Sequence, residues 1–167
     1  MEIAKFLIFS CCVIFLAGCP ELKNSVQKPV SVVSCLVTGV SDGDTIKCTE
    51  PTKQTITVRL ANIDAPEKKQ DFGQASKKVL STLIYNKQVK INIQSQDKYG
   101  RYIGEVFHNG QNINKVMVNS GYAWAYTEYL SDKSYVSLEN QARQAKLGLW
   151  VMPNPLYPSL FRKQERN

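Results

Sequence analysis

VVSCLVTGVSDGDTIKCTEPTKQTITVRL, residues 32–60, contains three short runs rich in β-branched residues and decides the fold class. Residues 32–40 and 45–48 are joined by Asp42-Gly43, a dipeptide favoured in tight hairpin turns. In residues 55–60 the apolar side chains alternate with polar ones, which is the period of a half-buried strand. The stretch therefore predicts three consecutive strands, of which the first two form a hairpin.

The rest of the chain adds two strands and three helices to this prediction. Alternating residues predict strands at 89–93 and 102–107, and helical spacing predicts a helix over about 73–86. Two shorter helices are expected, one from Ile113 to near Gly121 and one from Tyr135 to near Gly148. The proline-rich C-terminal stretch is expected to be an irregular tail.

This order of elements predicts the α+β class, with an OB-fold five-stranded β-barrel and three α-helices. OB barrels handle oligonucleotides on an open face. The fold alone is compatible with either binding or catalysis.

The charge balance points to an anionic partner. The chain has 167 residues, with 21 Lys and Arg against 14 Asp and Glu, which gives a net charge of +7. Such a surplus suits a polyanion, either nucleic acid or an acidic membrane surface.

The N-terminus is typical of an export signal. An apolar run at residues 6–16 follows Lys5 and is too short for a typical transmembrane helix. It ends in Leu16-Ala17-Gly18-Cys19, which looks like a bacterial lipobox, so Cys19 is expected to carry lipid. A plain secretory signal and an uncleaved anchor are the alternatives. We expect an exported, membrane-anchored lipoprotein of the bacterial cell envelope.

The predicted division of the chain follows from this signal. Residues 1–18 form the signal peptide, 19–31 a polar tether, 32–163 the folded domain and 164–167 a C-terminal tail. After export, Cys35 and Cys48 are the cysteines that remain free of the signal and the lipid. In an oxidising compartment they are expected to form a disulfide across the hairpin, and two reduced buried thiols are the alternative.

The chemistry available is that of carboxylates and arginines. The single histidine, His108, lies in a His-Asn-Gly turn, which argues against a Ser-His-Asp triad or a His/Cys zinc site. Two loops carry acids, one with Asp42 and Asp44 and one with Asp64 and Glu67, where Pro66 favours an extended Ala65 with an accessible carbonyl. Two aspartates, a carbonyl and water would make a hard-oxygen site suited to Ca²⁺, and a solvated turn is the alternative for each loop alone. Asp42 is expected to shape the turn.

Two arginines accompany these acids. Arg59 lies at the end of the third predicted strand, and Arg101 lies in a turn with Gly100 after the fourth. A guanidinium group can bind phosphate oxygens in a bidentate manner and stabilise the charge that develops during phosphoryl transfer.

Four motifs together resemble the staphylococcal nuclease (thermonuclease) family. They are Val40-Ser41-Asp42-Gly43-Asp44-Thr45, Arg59-Leu60, Asp64-Ala65-Pro66-Glu67 and Asp97-Lys98-Tyr99-Gly100-Arg101, in the family's order and at near-family spacing. The resemblance covers roughly residues 33–163. One departure is Ala65, where the best-known member has Thr, and another is a shorter loop after Glu67.

The resemblance implies a role for each residue in these motifs. Asp44, Asp64 and the Ala65 carbonyl would hold Ca²⁺, while Arg59 and Arg101 would clamp the scissile phosphate. Glu67 would act on the attacking water, either as a general base or by positioning it. The substrate would be DNA or RNA, cleaved without sugar specificity to 3′-phosphate products.

Four further residues resemble the family's nucleotide-binding face, namely Lys98, Tyr99, Tyr126 and Tyr129. Tyrosines can stack on bases without reading sequence. The competing interpretations are a non-catalytic nucleic-acid-binding OB-fold lipoprotein and a structural envelope lipoprotein. The acid and arginine set favours the enzyme, and a monomer is the default expectation.

Overall fold

The computed structural model describes residues 31–166. The predicted signal peptide, Cys19 as the predicted lipidation site and all of the predicted tether except Ser31 lie outside the described residues. The strands are β1 (Ser31–Val40), β2 (Thr45–Thr49), β3 (Thr55–Leu60), β4 (Ile63–Asp64), β5 (Gln88–Gln96), β6 (Tyr102–His108), β7 (Gln111–Asn112) and β8 (Trp124–Ala125). The helices are α1 (Gly73–Ile84), α2 (Ile113–Asn119), α3 (Ser134–Gln144) and α4 (Pro158–Gln164), with 3₁₀ turns at Thr127–Tyr129 and Gly148–Val151.

Five of these strands close into a barrel. The sheet runs β3-β2-β1-β5-β6, with antiparallel neighbours, and a parallel pairing of β3 with β6 closes it. The alternating residues send one face of each strand into the core, where Ile46, Val58 and Ile91 are fully buried. The predicted five-stranded α+β barrel is therefore confirmed.

A disulfide joins the first two strands of the barrel. Cys35 on β1 and Cys48 on β2 are both fully buried, and their Cα atoms are 5.7 Å apart. This is the pairing that the two cysteine positions predict.

Helices α1, α2 and α3 contribute residues to the barrel core. Helix α1 buries Leu80 and Ile84 in the barrel core, where Tyr135 of α3 is also fully buried. A second, smaller cluster contains Trp124 and Trp150, whose rings meet edge to face at 5.4 Å. Both tryptophans are buried core residues.

The C-terminal stretch is not irregular, and that prediction was wrong. Residues 158–164 form α4, a fourth helix that begins at Pro158. Proline suits the first helical turn because its φ is already helical and its missing N–H has no partner to lose there. Helix α4 also extends to Gln164, one residue past the predicted domain end, and β1 begins at Ser31, one residue before the predicted start.

Between residues 31 and 166, no helix is long and apolar enough to cross a membrane.

Candidate active site

The turn between β1 and β2 places the first acidic residue of the site. The Asp44 backbone N–H donates to Asp42 Oδ1 at 3.1 Å, so Asp42 shapes the turn. Gly43 is packed so closely that a Cβ there would overlap the Ser76 hydroxyl on α1 and the Ala65 side chain. Since glycine has no side chain, the turn can pack directly against the loop that follows β4. The Ala65 N–H then donates to Asp44 Oδ2 at 2.7 Å.

Arg59 on β3 connects the two buried aspartates. Its Nη1 lies 3.1 Å from Asp44 Oδ2, and its Nη2 lies 3.0 Å from Asp64 Oδ1. Nη1 also donates to the carbonyls of Leu60 and Ile63 at 3.0 and 2.9 Å. The guanidinium plane is therefore fixed by both side-chain and backbone acceptors.

Burial raises the pKa of both aspartates. It raises the pKa of Asp44 to about 7, against the opposing influence of Arg59. Burial also raises the pKa of Asp64, although hydrogen bonds from Arg162 and the charge of Arg59 act in the other direction. Two buried carboxylates this close together favour a neighbouring positive charge.

Glu67 forms an ion pair with Arg162, a residue that the sequence patterns did not assign to the site. Arg162 of α4 donates from Nη1 to Glu67 Oε1 at 2.8 Å and from Nη2 to Asp64 Oδ2 at 3.0 Å. Burial lowers the pKa of Arg162, but the hydrogen bonds to Asp64 and Glu67 outweigh it and hold that pKa above its ordinary value. No motif flagged Arg162, because it lies in a stretch expected to be irregular.

Arg101 approaches the same cleft from the turn between β5 and β6. Its Nε donates to Asp97 Oδ2 at 2.7 Å, and Asp97 Oδ1 also accepts from the N–H groups of Tyr99 and Arg101. Asp97 thus organises the turn and aims Arg101. Tyr99 is exposed beside Lys98 and Arg101, whose charges lie 5.1 and 5.7 Å from its ring centroid.

The charged residues of the site face one open cleft of about 760 Å³. All the predicted catalytic and metal-ligand residues contribute to it, namely Asp44, Arg59, Asp64, Ala65, Glu67 and Arg101. Of the predicted substrate contacts, Tyr99 and Tyr126 line the cleft. Lys98 and Tyr129 lie outside its lining. Tyr129 packs against Tyr126 with ring centroids 4.8 Å apart.

A closed barrel with this carboxylate and guanidinium cleft defines a phosphodiester hydrolase of the nuclease class. Residues 57–152 match the family model described as staphylococcal nuclease homologue. The chain therefore belongs to the staphylococcal nuclease homologue family, as its motifs predict.

Several bacterial proteins are similar to it over most of their length. It is 43% identical over 164 residues to a Haemophilus influenzae protein named as an uncharacterized endonuclease, covering 97% of this chain and 87% of that protein. It is 41% identical to an uncharacterized endonuclease of Escherichia coli O157:H7, with 77% of this chain and 84% of that protein covered. A micrococcal nuclease of Shigella flexneri is 39% identical, with 78% and 81% covered.

Proposed function

We propose that the protein is a Ca²⁺-dependent, sugar-nonspecific endonuclease that hydrolyses phosphodiester bonds of DNA and RNA to 3′-phosphate products. The observation that carries this proposal is the convergence of the three predicted site carboxylates, Asp44, Asp64 and Glu67, and the two predicted catalytic arginines on one open cleft. A site that only binds a polyanion gains from arginines but loses from carboxylates, because like charges repel. The acids are therefore best explained by catalysis.

The donor set fits a hard cation. Among residues 31–166, no three His, Cys, Asp or Glu side chains are grouped as a metal cluster, so backbone carbonyls and water must complete the ligand shell. Asp44 Oδ1 accepts from Thr45, and Asp44 Oδ2 contacts Ala65 and Arg59. A carboxylate has about four acceptor positions, so one remains on Asp44. We assign Asp44, Asp64 and the Ala65 carbonyl as the ligands.

When bound, the cation supplies charge that neutralises the phosphate and assists water activation. The chain's own residues orient the reactants. Arg59 presents a guanidinium fixed by four acceptors, which makes it a preorganised partner for a phosphate oxygen. Only Nε of Arg101 is engaged within the described part of the chain, so both Nη groups are available for the departing oxygen. Glu67 accepts a proton from the attacking water or orients it.

The exposed aromatic surface beside the cleft suits single-stranded substrate. In this proposal Tyr99 and Tyr126, which line the cleft, stack on bases or reach phosphates, and Lys98 and Tyr129 support them from outside the lining. Stacking of this kind tolerates any base and either sugar.

We also propose that the enzyme is exported and anchored to a membrane through lipid on Cys19, as a monomer. The Cys35–Cys48 disulfide supports export, because such bonds persist in oxidising compartments. Mass spectrometry of the N-terminal peptide tests the lipid assignment. We expect a diacylglycerol-linked Cys19, and an unmodified Cys19 would contradict the assignment.

The activity is tested with the full chain in detergent, on single-stranded DNA and on RNA, with Ca²⁺ or with chelator. We expect hydrolysis with Ca²⁺, 3′-phosphate ends, and a loss of about 10²- to 10³-fold in Glu67→Gln and Arg101→Met. Lys78→Gln, an exposed change on α1, serves as the control. Cleavage that survives chelator contradicts the cation requirement, and binding without cleavage under every condition favours the non-catalytic module.

A further inference from the structure

The guanidinium of Arg162 joins two acids that lie far from it in sequence. It forms a two-atom contact with Asp64, with Nη1 to Oδ1 at 3.2 Å and Nη2 to Oδ2 at 3.0 Å, while Nη1 also donates to Glu67 at 2.8 Å. One planar group thus sets the distance between both carboxylates. We propose that Arg162 is a positioning residue that holds the Glu67 carboxylate in its reactive orientation. This inference rests on the proposed function, because it assigns a further part of the same site.

Glu67 depends on Arg162 for its orientation. Its backbone N–H donates to Gln70 Oε1 at 3.1 Å, and its carbonyl accepts from the Gln70 N–H at 2.9 Å. Its carboxylate, by contrast, has Arg162 as its single hydrogen-bond partner within residues 31–166. A glutamate side chain has several rotatable bonds, so a carboxylate without that partner spends much of its time misaligned.

Helix α4 is a fixed platform for this contact. The Tyr157 ring, just before the helix, packs edge to face on Trp124 with centroids 5.7 Å apart. Gln70 is buried, and its Nε2 donates to the Leu156 carbonyl. The same Gln70 side chain therefore holds both the Glu67 backbone and the segment leading into α4. Gln70 therefore links the loop that carries Glu67 to the segment that leads into the helix of Arg162.

A neighbouring residue on α4 offers a matched control. Lys163 carries the same charge as Arg162, is exposed and lies outside the cleft lining. A change at Lys163 alters the charge of α4 by the same amount but leaves the contacts of Glu67 intact.

Steady-state hydrolysis of single-stranded DNA by the full chain, at saturating Ca²⁺, tests the proposal. We expect Arg162→Gln to lower kcat by about 10- to 100-fold, the loss typical of one charge-assisted contact. KM should stay within about twofold, because Asp64 and Glu67 occupy the Arg162 guanidinium. Lys163→Gln should match the wild type, because Lys163 lies outside the cleft lining. Arg162→Lys should recover part of kcat, because an ammonium reaches one carboxylate but cannot bridge two.

A double-mutant cycle shows whether Arg162 acts through Glu67. In the Glu67→Gln background, Arg162→Gln should change kcat by less than about threefold, because the carboxylate it orients is gone. Melting temperatures of all variants confirm that each is folded. An equal loss in both backgrounds, or a raised KM with unchanged kcat, overturns the proposal. An inactive wild type overturns the proposed function as well, whereas an active wild type matched by Arg162→Gln overturns this inference alone.

Discussion

The barrel half of the molecule, residues 31–112, and the helical half, residues 113–166, hold their charged groups in different ways. In the barrel half, Arg59 binds Asp44 and Asp64 with side chains that are 13%, 9% and 1% exposed. In the helical half, Lys115 binds Asp132 with side chains that are 36% and 42% exposed. Buried ion pairs are costly to disrupt because a charge is left behind without solvent, whereas exposed pairs contribute little.

The cleft lies where the two halves meet. The barrel half supplies Asp44, Asp64, Glu67 and Arg59, and a disulfide joins its first two strands. The helical half supplies Arg162, whose side chain is 37% exposed. Arg162 is therefore more exposed than Arg59, which is consistent with the proposed roles, in which the barrel half fixes the reacting groups and Arg162 orients one of them.

The largest expected effect compares the two arginines that share Asp64. Arg59→Met should lower the free energy of unfolding by about 3 kcal/mol, because the buried Asp44 loses its ion-pair partner and the Leu60 and Ile63 carbonyls lose a donor. Arg162→Met should cost less than about 1 kcal/mol, because Asp64 retains Arg59. Urea denaturation at pH 8 without divalent cations measures both. Equal losses of unfolding free energy in the two variants would contradict this expectation. They would show that Arg162 stabilises the fold as much as Arg59 does.

The sequence was sufficient to predict the barrel half. Alternation and the Asp42-Gly43 turn mark the strands directly, and Arg59 pairs in register with Thr45, the neighbour of Asp44. The chemistry of that half therefore lies in short motifs on adjacent strands.

The contribution of α4 could not be predicted in the same way. Arg162 lies 95 residues after Glu67, and no local spacing reports a contact over that distance. Helix α4 has seven residues, too few for a helical period to stand out, and the prolines before it favour an irregular interpretation. Only tertiary packing, through Tyr157 and Gln70, brings Arg162 to the site.

A second, smaller effect on stability concerns the Cys35–Cys48 disulfide of the barrel half. Replacing Cys35 and Cys48 together by Ala should lower the free energy of unfolding by about 3 kcal/mol or less, since the bond closes a loop with a sequence separation of 13. Below the melting temperature, cleavage should stay close to that of the wild type, because neither cysteine lines the cleft. Guanidinium denaturation with and without reductant measures the stability term. A loss of activity in the folded variant would mean that the disulfide also shapes the site.

The smallest expected effect on stability concerns the exposed ion pair of Lys115 and Asp132 in the helical half. Lys115, followed by hydrogen bonds from Ser134, lowers the pKa of Asp132 to about 2, from an ordinary 3.8. A carboxyl group whose pKa is lowered by folding stabilises the native state above its unfolded pKa, and that contribution is lost as pH falls from about 4 to about 2. Solvent screening limits it to less than about 1 kcal/mol.

Urea denaturation of the wild type and of Asp132→Asn between pH 5 and pH 2 measures this contribution. The difference in unfolding free energy between the two proteins should be largest at pH 5 and should shrink towards pH 2, because the wild-type carboxylate becomes protonated there. A difference that stays constant with pH would assign Asp132 a hydrogen-bonding role at the start of α3, where it accepts from Ser134 at 2.8 Å, rather than an electrostatic one. In that case the two halves would differ in their dependence on charge as well as in burial.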